Sequence, residues 1–236
     1  MESFLDSGFM QALIKNLNVV WEYRDLFIRG FFYTLFLTST AVFLGLIFGL
    51  VLGLSRLSHR WFLHYPAKIY IDVFRGTPLY VQILIFHFAA IPTISSLLGQ
   101  SSPPGPLFSG IVALTFNSAA YIAEIFRGGI QSIDKGQTEA ARSLGMSNGQ
   151  TMLYVILPQA FKRMLPPLGN EFIALLKDSS LVAVIAVNDL AYAGFISAKS
   201  TYIRWGPYLT SALLYLVLTM VFSRVVSYLE RRFSTE

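Results

Sequence analysis

Lys177 and Asp178 are adjacent ionisable residues in the middle of an apolar run, and Glu124 lies near the end of another. A charge at the centre of a membrane-spanning helix costs roughly 2.5–3.5 kcal/mol on insertion scales, so both residues should face protein or a water-filled cavity. Neighbours on a helix are turned about 100° apart, so the two do not simply neutralise one another. A dehydrated site that offers both signs can hold a zwitterion, its carboxylate on a cation and its ammonium on an anion. Two separate polar contacts that hold helices together is the competing reading. Asn117, Tyr121 and Glu124 stand at i, i+4 and i+7 and form one polar stripe, with Asn117 at the depth of Lys177 and Asp178. Glu124 reads either as a pathway carboxylate or as the structural partner of a cation such as Arg75 or Arg127.

A third feature is the interruption Arg75-Gly76-Thr77-Pro78. Thr77 suits an N-cap and Pro78 a first helical position, so a helix should restart there with free N–H groups and a positive dipole end. Broken helices of this kind bind anionic groups in transporters; an ordinary helix start after a re-entrant bend would carry the same residues. Gln82, four residues after Pro78, shares its face. His87 reads as a satisfied buried histidine rather than a ligand.

The elements that must position these residues are membrane helices. With 54% apolar, 15% aromatic and 13% charged residues over 236 positions, the composition lies outside the range of soluble globular domains. Five stretches are long and apolar enough to span, at about 31–54, 69–91, 107–126, 168–187 and 208–226. In the first, Gly45, Gly49 and Gly53 recur every fourth residue and predict a close-packing face. Residues 1–30 precede the transmembrane domain 31–236. There Phe4, Leu5, Phe9, Met10, Leu13, Leu17, Val20 and Trp21 at helical spacing predict an interfacial helix, retained because a signal peptide's basic start and cleavage site are missing. Arg56, Arg60 and Lys68 follow span one. Arg127, Lys135, Arg142, Lys162 and Arg163 follow span three, and Arg224, Arg231 and Arg232 close the chain, whereas 92–106 carries no charge. The positive-inside rule then puts the N-terminus outside, the C-terminus inside and the loop 134–158 in the cytoplasm. The chain has no cysteine, and its 3 histidines are scattered, which excludes thiol chemistry and argues against a metal centre. Its net charge of +5 flanks the apolar spans, a pattern of membrane orientation rather than nucleic-acid binding.

Within 134–158, Asp134 predicts the cap of a short helix carrying Gln137, Glu139, Ala140 and Ala141. Gly145 suits the left-handed position that ends it, and Ser147 with Gln150 predicts a capping box for a second helix that meets Pro158. Glu139-Ala140-Ala141, then Gly145, then Val155-Ile156-Leu157-Pro158 resembles the EAA loop of permease subunits of bacterial ABC importers. Arg75-Gly76-Thr77-Pro78, Glu124-Ile125-Phe126-Arg127-Gly128-Gly129-Ile130-Gln131 and Leu176-Lys177-Asp178-Ser179-Ser180 narrow the resemblance to the polar amino-acid uptake branch, the histidine, glutamine and arginine type. Val155 stands where that family usually has Ile. The likeness runs over roughly residues 25–232.

The resemblance implies an all-α, type I ABC-importer-like transmembrane domain in the bacterial inner membrane. It would move a polar amino acid by alternating access, with Thr77, Gln82, Asn117, Tyr121, Glu124, Lys177, Asp178 and Ser180 as the candidate path. Glu139, Ala140, Ala141, Gly145 and Pro158 would couple to a partner. No GxxxxGK[ST] loop occurs, so the chain should not be an enzyme and should hold no cofactor. Two ATPase subunits would bind ATP and magnesium. A second permease, either another copy or a sister chain, an extracytoplasmic solute-binding protein and membrane lipid complete the expected partners; nucleic acid is not among them. The alternative is an ion-coupled secondary transporter that uses Asp178 and Glu124, although the repeated halves usual in such proteins are not evident.

Overall fold

The computed structural model describes residues 2–233, with side chains over residues 8–232, and is helical from end to end. Helix α1 (Glu2–Glu22) turns at Tyr23 into α2 (Arg24–Leu57), the longest helix. Then come α3 (Trp61–Gly76), α4 (Leu79–Ile85), a wider π turn at Phe86–Ala90, α5 (Ile91–Leu97) and α6 (Pro106–Gln131). After α7 (Lys135–Ser143), a helix starts as α8 (Asn148–Gln150), widens to π geometry over Thr151–Ile156 and continues as α9 (Leu157–Asp178). It tightens into a 3₁₀ segment, Ser179–Ile185, before α10 (Leu190–Thr201) and α11 (Trp205–Phe233).

Four helices are long and apolar enough to cross a membrane: Arg24–Leu57, Leu79–Leu97, Pro106–Gln131 and Trp205–Arg232. A pair bent by 44°, Asn148–Ile185 with Leu190–Thr201, makes the fifth. The number of spans, counting the bent pair as one, is that expected, and three of them differ in extent. The second is not 69–91 but Leu79–Leu97, because Pro78 has no N–H to donate and forces Thr77 into extended backbone, so α3 ends at Gly76. The fourth, expected as 168–187, is one helical run from Asn148 that bends at 186–189. The first begins at Arg24 rather than Phe31, with Asp25 in its first turn, where an acidic side chain suits the helix dipole.

Helices α2 and α6 form the centre of the molecule. The glycine stripe faces fully buried residues of α6, the small Ser118, Ala119 and Ala123 together with Ile122. A Cβ at Gly45 would lie 3.1 Å from Ser118 Oγ, one at Gly49 2.9 Å from Ile122 Cβ, and one at Gly53 2.9 Å from the Ala123 carbonyl oxygen. The backbones are therefore as close as absent side chains allow, which replaces a hydrophobic driving force that lipid does not supply. Leu37, Ala41, Ile83, Leu114, Leu175 and Val182 extend this centre to α4, α9 and the 3₁₀ segment. The outward faces remain apolar, as at Phe36, Phe43, Phe48, Leu213 and Val217, as lipid contact requires.

Helix α1 lies against the start of α11, where the Gly206 amide donates to Asn16 Oδ1 at 2.6 Å. Phe9, Leu13, Leu17 and Trp21 of its apolar face are exposed; the side chains of Phe4 and Leu5 lie outside the described residues.

The close approach at Gly49 has a direct consequence. Gly49→Val should destabilise the detergent-solubilised chain by about 1–3 kcal/mol through overpacking against α6. Gly128→Val, where a Cβ meets nothing within 4 Å, should leave the thermal unfolding midpoint nearly unchanged. Equal midpoints for the two variants would contradict the packing described.

Candidate functional site

The break between α3 and α4 would expose backbone carbonyls inside the membrane, and two side-chain amides satisfy them. Gln82 Nε2 donates to the carbonyls of Phe74 at 2.8 Å and Thr77 at 3.0 Å, and lies 2.9 Å from Thr77 Oγ1. Asn117 Nδ2 on α6 donates to Gln82 Oε1 at 3.0 Å and reaches the Phe74 carbonyl at 3.4 Å. Gln82 and Asn117 are both buried. The Thr77 hydroxyl donates back to the Val73 carbonyl at 2.8 Å, so Thr77 finishes α3 instead of capping α4 as expected. The first amides of α4 therefore have no side-chain cap.

Beside the break is a cavity of about 500 Å³. One wall is Arg75, Gly76, Thr77, Pro78 and Leu79; a second is Asn117 and Tyr121 of α6; a third is Glu171, Ala174 and Asp178 of α9 with Leu181 beyond it. The third wall is one helix face, since 171, 174, 178 and 181 differ by three or four residues. Among the candidates, Thr77, Asn117, Tyr121 and Asp178 meet here. Gln82 sits behind the wall as its scaffold. Lys177 is exposed and does not line the cavity, being turned about 100° from Asp178, and Ser180 is not part of the lining either.

The cation present is Arg75. Its guanidinium stands over the Tyr121 ring, 5.2 Å from the centroid, and 3.8 Å from Glu124 Oε2. Glu124 is held much more closely by Arg127, whose Nε donates to both carboxylate oxygens at 3.0 Å and whose Nη2 donates to Oε2 at 2.7 Å. Arg127 also donates to Gln131 Oε1. Glu124 thus serves as a structural partner to both cations that the sequence offered it, and Arg75, at the longer distance, keeps hydrogen-bonding capacity for a ligand. The cavity combines a guanidinium with two carboxylates, Glu171 and Asp178. Glu171 escaped the sequence reading although its place seven residues before Asp178, on the same face, was a usable signal. His87 is half-buried and hydrogen-bonded to Ser109 Oγ at 3.0 Å.

The loop 134–158 is built as its capping residues dictate. Asp134 Oδ1 accepts from the Gly136 amide at 2.7 Å. Gly145 ends the helix at φ +83°, a region that favours glycine. Ser147 Oγ accepts from the Gln150 amide while the Ser147 amide donates to Gln150 Oε1 at 2.8 Å, a complete capping box. Glu139 and Ala140 are exposed, as is Leu144 at 83%. Ala141 is buried within the chain at 4% and is not available to a partner, a correction to the expected small surface at both alanines. The helix after the capping box does not stop at Pro158. A proline ring would collide with the carbonyl four residues back in a regular α-helix; the wider π turn just before it, Thr151–Ile156, moves that carbonyl aside. The loop is consequently continuous with the cavity wall on α9. Gln159 Nε2 donates to Gln137 Oε1 at 3.1 Å and ties α7 to that helix.

Residues 24–235 match the family described as the binding-protein-dependent transport system inner membrane component. The chain is 38% identical over 215 residues to the glutamine transport system permease protein of Escherichia coli (strain K12), covering 91% of this chain and 96% of that one. It is 37% identical over 205 residues to the arginine transport system permease protein of Bacillus subtilis (strain 168), covering 87% and 91%. Among solved structures, an amino acid ABC transporter with histidines superimposes with a TM-score of 0.82 at 45% identity, over 90% of this chain and 96% of that chain. An inward-facing methionine ABC transporter shares the fold at a TM-score of 0.75 and 22% identity, over 89% and 97%.

The scaffold role of Gln82 can be measured. Gln82→Leu nearly keeps the volume but removes the amide's bond to the Thr77 carbonyl and leaves Phe74 and Asn117 only their long 3.4 Å contact, so it should lower stability by on the order of 2 kcal/mol. A thermal midpoint in detergent equal to that of the parent would show that the amide is dispensable to the break.

Proposed function

The chain belongs to the family of binding-protein-dependent transport system inner membrane components, and on that footing we propose how its cavity and loop take part in import. It is the membrane-spanning permease subunit of an amino-acid ABC importer, placed in the inner membrane, and is not itself an enzyme. Partner subunits hydrolyse ATP and deliver substrate, as the family implies in general. In the proposed assembly two ATPase subunits bind ATP and magnesium, and a second permease, another copy or a sister chain, stands beside this one. A solute-binding protein docks outside. The N-terminus and α1 face the outside, with α1 at the membrane surface, while α7 and the C-terminus face the cytoplasm; the distribution of Lys and Arg supports that orientation.

The observation that carries the proposal is the meeting of Arg75 with Asp178 and Glu171 around one cavity. A substrate carboxylate would be received by Arg75 and the uncapped amides at the start of α4, and its ammonium by Asp178 or Glu171. The carboxylate left over suits a side chain that donates hydrogen bonds, an amide or a cation, in keeping with relatives that carry glutamine or arginine. Glu124, engaged by Arg127 and Arg75, is not free to carry an ion, which removes one carrier from the ion-coupled alternative. For coupling, the exposed Glu139, Ala140 and Leu144 of α7 form the face offered to an ATPase subunit, with Gly145 setting the turn and Pro158 lying in the helix that leads to the cavity.

Three expectations follow for the complex in proteoliposomes with its ATPase and binding protein. Arg75→Ala should reduce ATP-driven uptake of labelled glutamine or arginine at least tenfold, a loss of about 1.4 kcal/mol or more, whereas Lys177→Ala should stay within about twofold of the parent. Glu139→Lys should preserve insertion and ATP hydrolysis but separate hydrolysis from uptake. Uptake driven by an ion gradient without any ATPase subunit would sink the assignment, and full uptake by Arg75→Ala would sink the cavity's role.

A further inference from the structure

The fourth span bends around a carboxylate that the cavity does not use. Asp189 is completely buried. Its Oδ1 caps α10 by accepting from the Tyr192 amide at 2.8 Å, and its Oδ2 accepts from the Tyr215 hydroxyl of α11 at 2.8 Å. The next residue is fastened as firmly: the Leu190 amide donates to Thr34 Oγ1 of α2 at 3.2 Å, and Ser211 Oγ of α11 donates to the Leu190 carbonyl at 2.8 Å. Gly30 of α2 comes so near the Asp189 carbonyl oxygen that a Cβ there would lie 2.8 Å away.

Thr34 and Tyr215 each lie about 15 Å along their helices from Arg24 and Trp205, at 1.5 Å per residue. Both residues fall inside apolar spans, where an ionisable side chain is costly and seldom incidental.

The two sides of this bend differ in build. Toward α11, apolar packing of Leu190, Ala193 and Leu218 reinforces the hydrogen bonds. Toward the cavity Val182, Ile185 and Val187 pack into the central core, but the backbone there is the 3₁₀ segment Ser179–Ile185, with poorer hydrogen-bond geometry than an α-helix, followed by Ala186 at φ +58°, a strained conformation for a residue with a Cβ. We propose that Asp189 is a positioning residue for translocation: it fastens α10 to α11 as one piece, so that movement of α9, continuous with the coupling loop, is taken up at Ala186. The inference rests on the reading of the chain as a transport subunit, but not on which residues hold the substrate.

The natural chain has no cysteine, so a disulfide can test the clamp without background. A Cβ at Gly194 would stand 3.4 Å from Ser211 Cβ, just under the disulfide range of about 3.5–4.5 Å, so a small separation of α10 and α11 suffices to form the bond. In the assembled complex in proteoliposomes, uptake of labelled glutamine or arginine, whichever the parent takes, is compared among variants whose membrane insertion and ATPase assembly are measured separately. Asp189→Ala should lose uptake at least tenfold. Asp189→Asn, which can still cap Tyr192 and donate to the Tyr215 oxygen, should remain within about threefold of the parent. In the Gly194→Cys/Ser211→Cys pair, oxidation should change uptake by no more than about twofold relative to the reduced form. In the same pair carrying Asp189→Ala, oxidation should restore uptake to within about threefold of the oxidised pair.

A disulfide that by itself stops uptake would mean that α10 and α11 separate during transport and would overturn the proposal. So would an Asp189→Asn loss as large as that of Asp189→Ala, a failure of the disulfide to rescue, or full uptake by Asp189→Ala. If Asp189→Ala does not assemble, the Asn variant and the oxidised pair still decide. A parent complex that takes up no amino acid would count against the functional reading, whereas the clamp fails only relative to uptake the parent shows.

Discussion

A helix cannot be interrupted inside a membrane unless other groups take over its hydrogen bonds, and here Gln82 and Asn117 do so. Their amides satisfy the carbonyls of Phe74 and Thr77 that α3 leaves open on reaching Pro78. With water absent, each carbonyl left unpaired would cost several kcal/mol. This small cluster lets the second span start where it does. It also fixes Arg75 and the uncapped start of α4 at the edge of the cavity, and joins that edge to α6. The same two residues therefore stabilise the fold and shape the site.

The packing of α2 on α6 makes this arrangement rigid. Because lipid tails are as apolar as the side chains that face them, burial gives little drive for helices to associate, and close van der Waals contact must replace it. Gly45, Gly49 and Gly53 permit that contact. The polar stripe of α6 is held toward α3 and α9 as a result, and Arg75, Tyr121, Glu124, Arg127 and Gln131 form a succession of contacts from the cavity to the end of α6. Arg163 on α9 donates to the carbonyl of Ser132, immediately beyond that end. The cavity and the loop are thus connected along two helices, α6 by charge and α9 by unbroken backbone.

The π turn before Pro158 lets the helix run past that proline, and α9 then continues through Pro166 and Pro167 to Asp178. A regular α-helix would end or kink at Pro158, and α7 would then be linked to the cavity only through a flexible joint. Instead, α7 rests through Gln137 on a helix whose far end carries Glu171 and Asp178. The sharp bend comes at 186–189, past the cavity, where hydrogen bonds to α2 and α11 hold it, while Pro166 and Pro167 each remove a backbone hydrogen bond from α9 between the loop and the cavity wall.

Local chemistry determined much of this protein directly from the sequence. The helical class and the five apolar spans follow from composition and run length. The Asp134 cap, the Gly145 turn and the Ser147–Gln150 capping box each depend on residues within a few positions of one another, and each appears as expected. The glycine face of α2 and the stripe Asn117, Tyr121 and Glu124 were legible because helical periodicity alone assigns residues to a face. What stays hidden is whatever depends on the partner of a face. Lys177 and Asp178 are neighbours in sequence, yet only Asp178 reaches the cavity, since the packing of α9 decided which direction was inward. Arg75 became the cavity's cation only when the break at 76–78 turned it toward Tyr121 and α9. The Thr77 hydroxyl chose Val73 over the helix that follows, because Gln82 occupied its other side. Helix continuation through Pro158 and the hold on Asp189 likewise depend on contacts between residues far apart in the chain, up to 156 positions for Leu190 and Thr34. Spacing determines what a face contains; only the tertiary structure decides what it meets, because a buried polar group takes its role from the partner that replaces water.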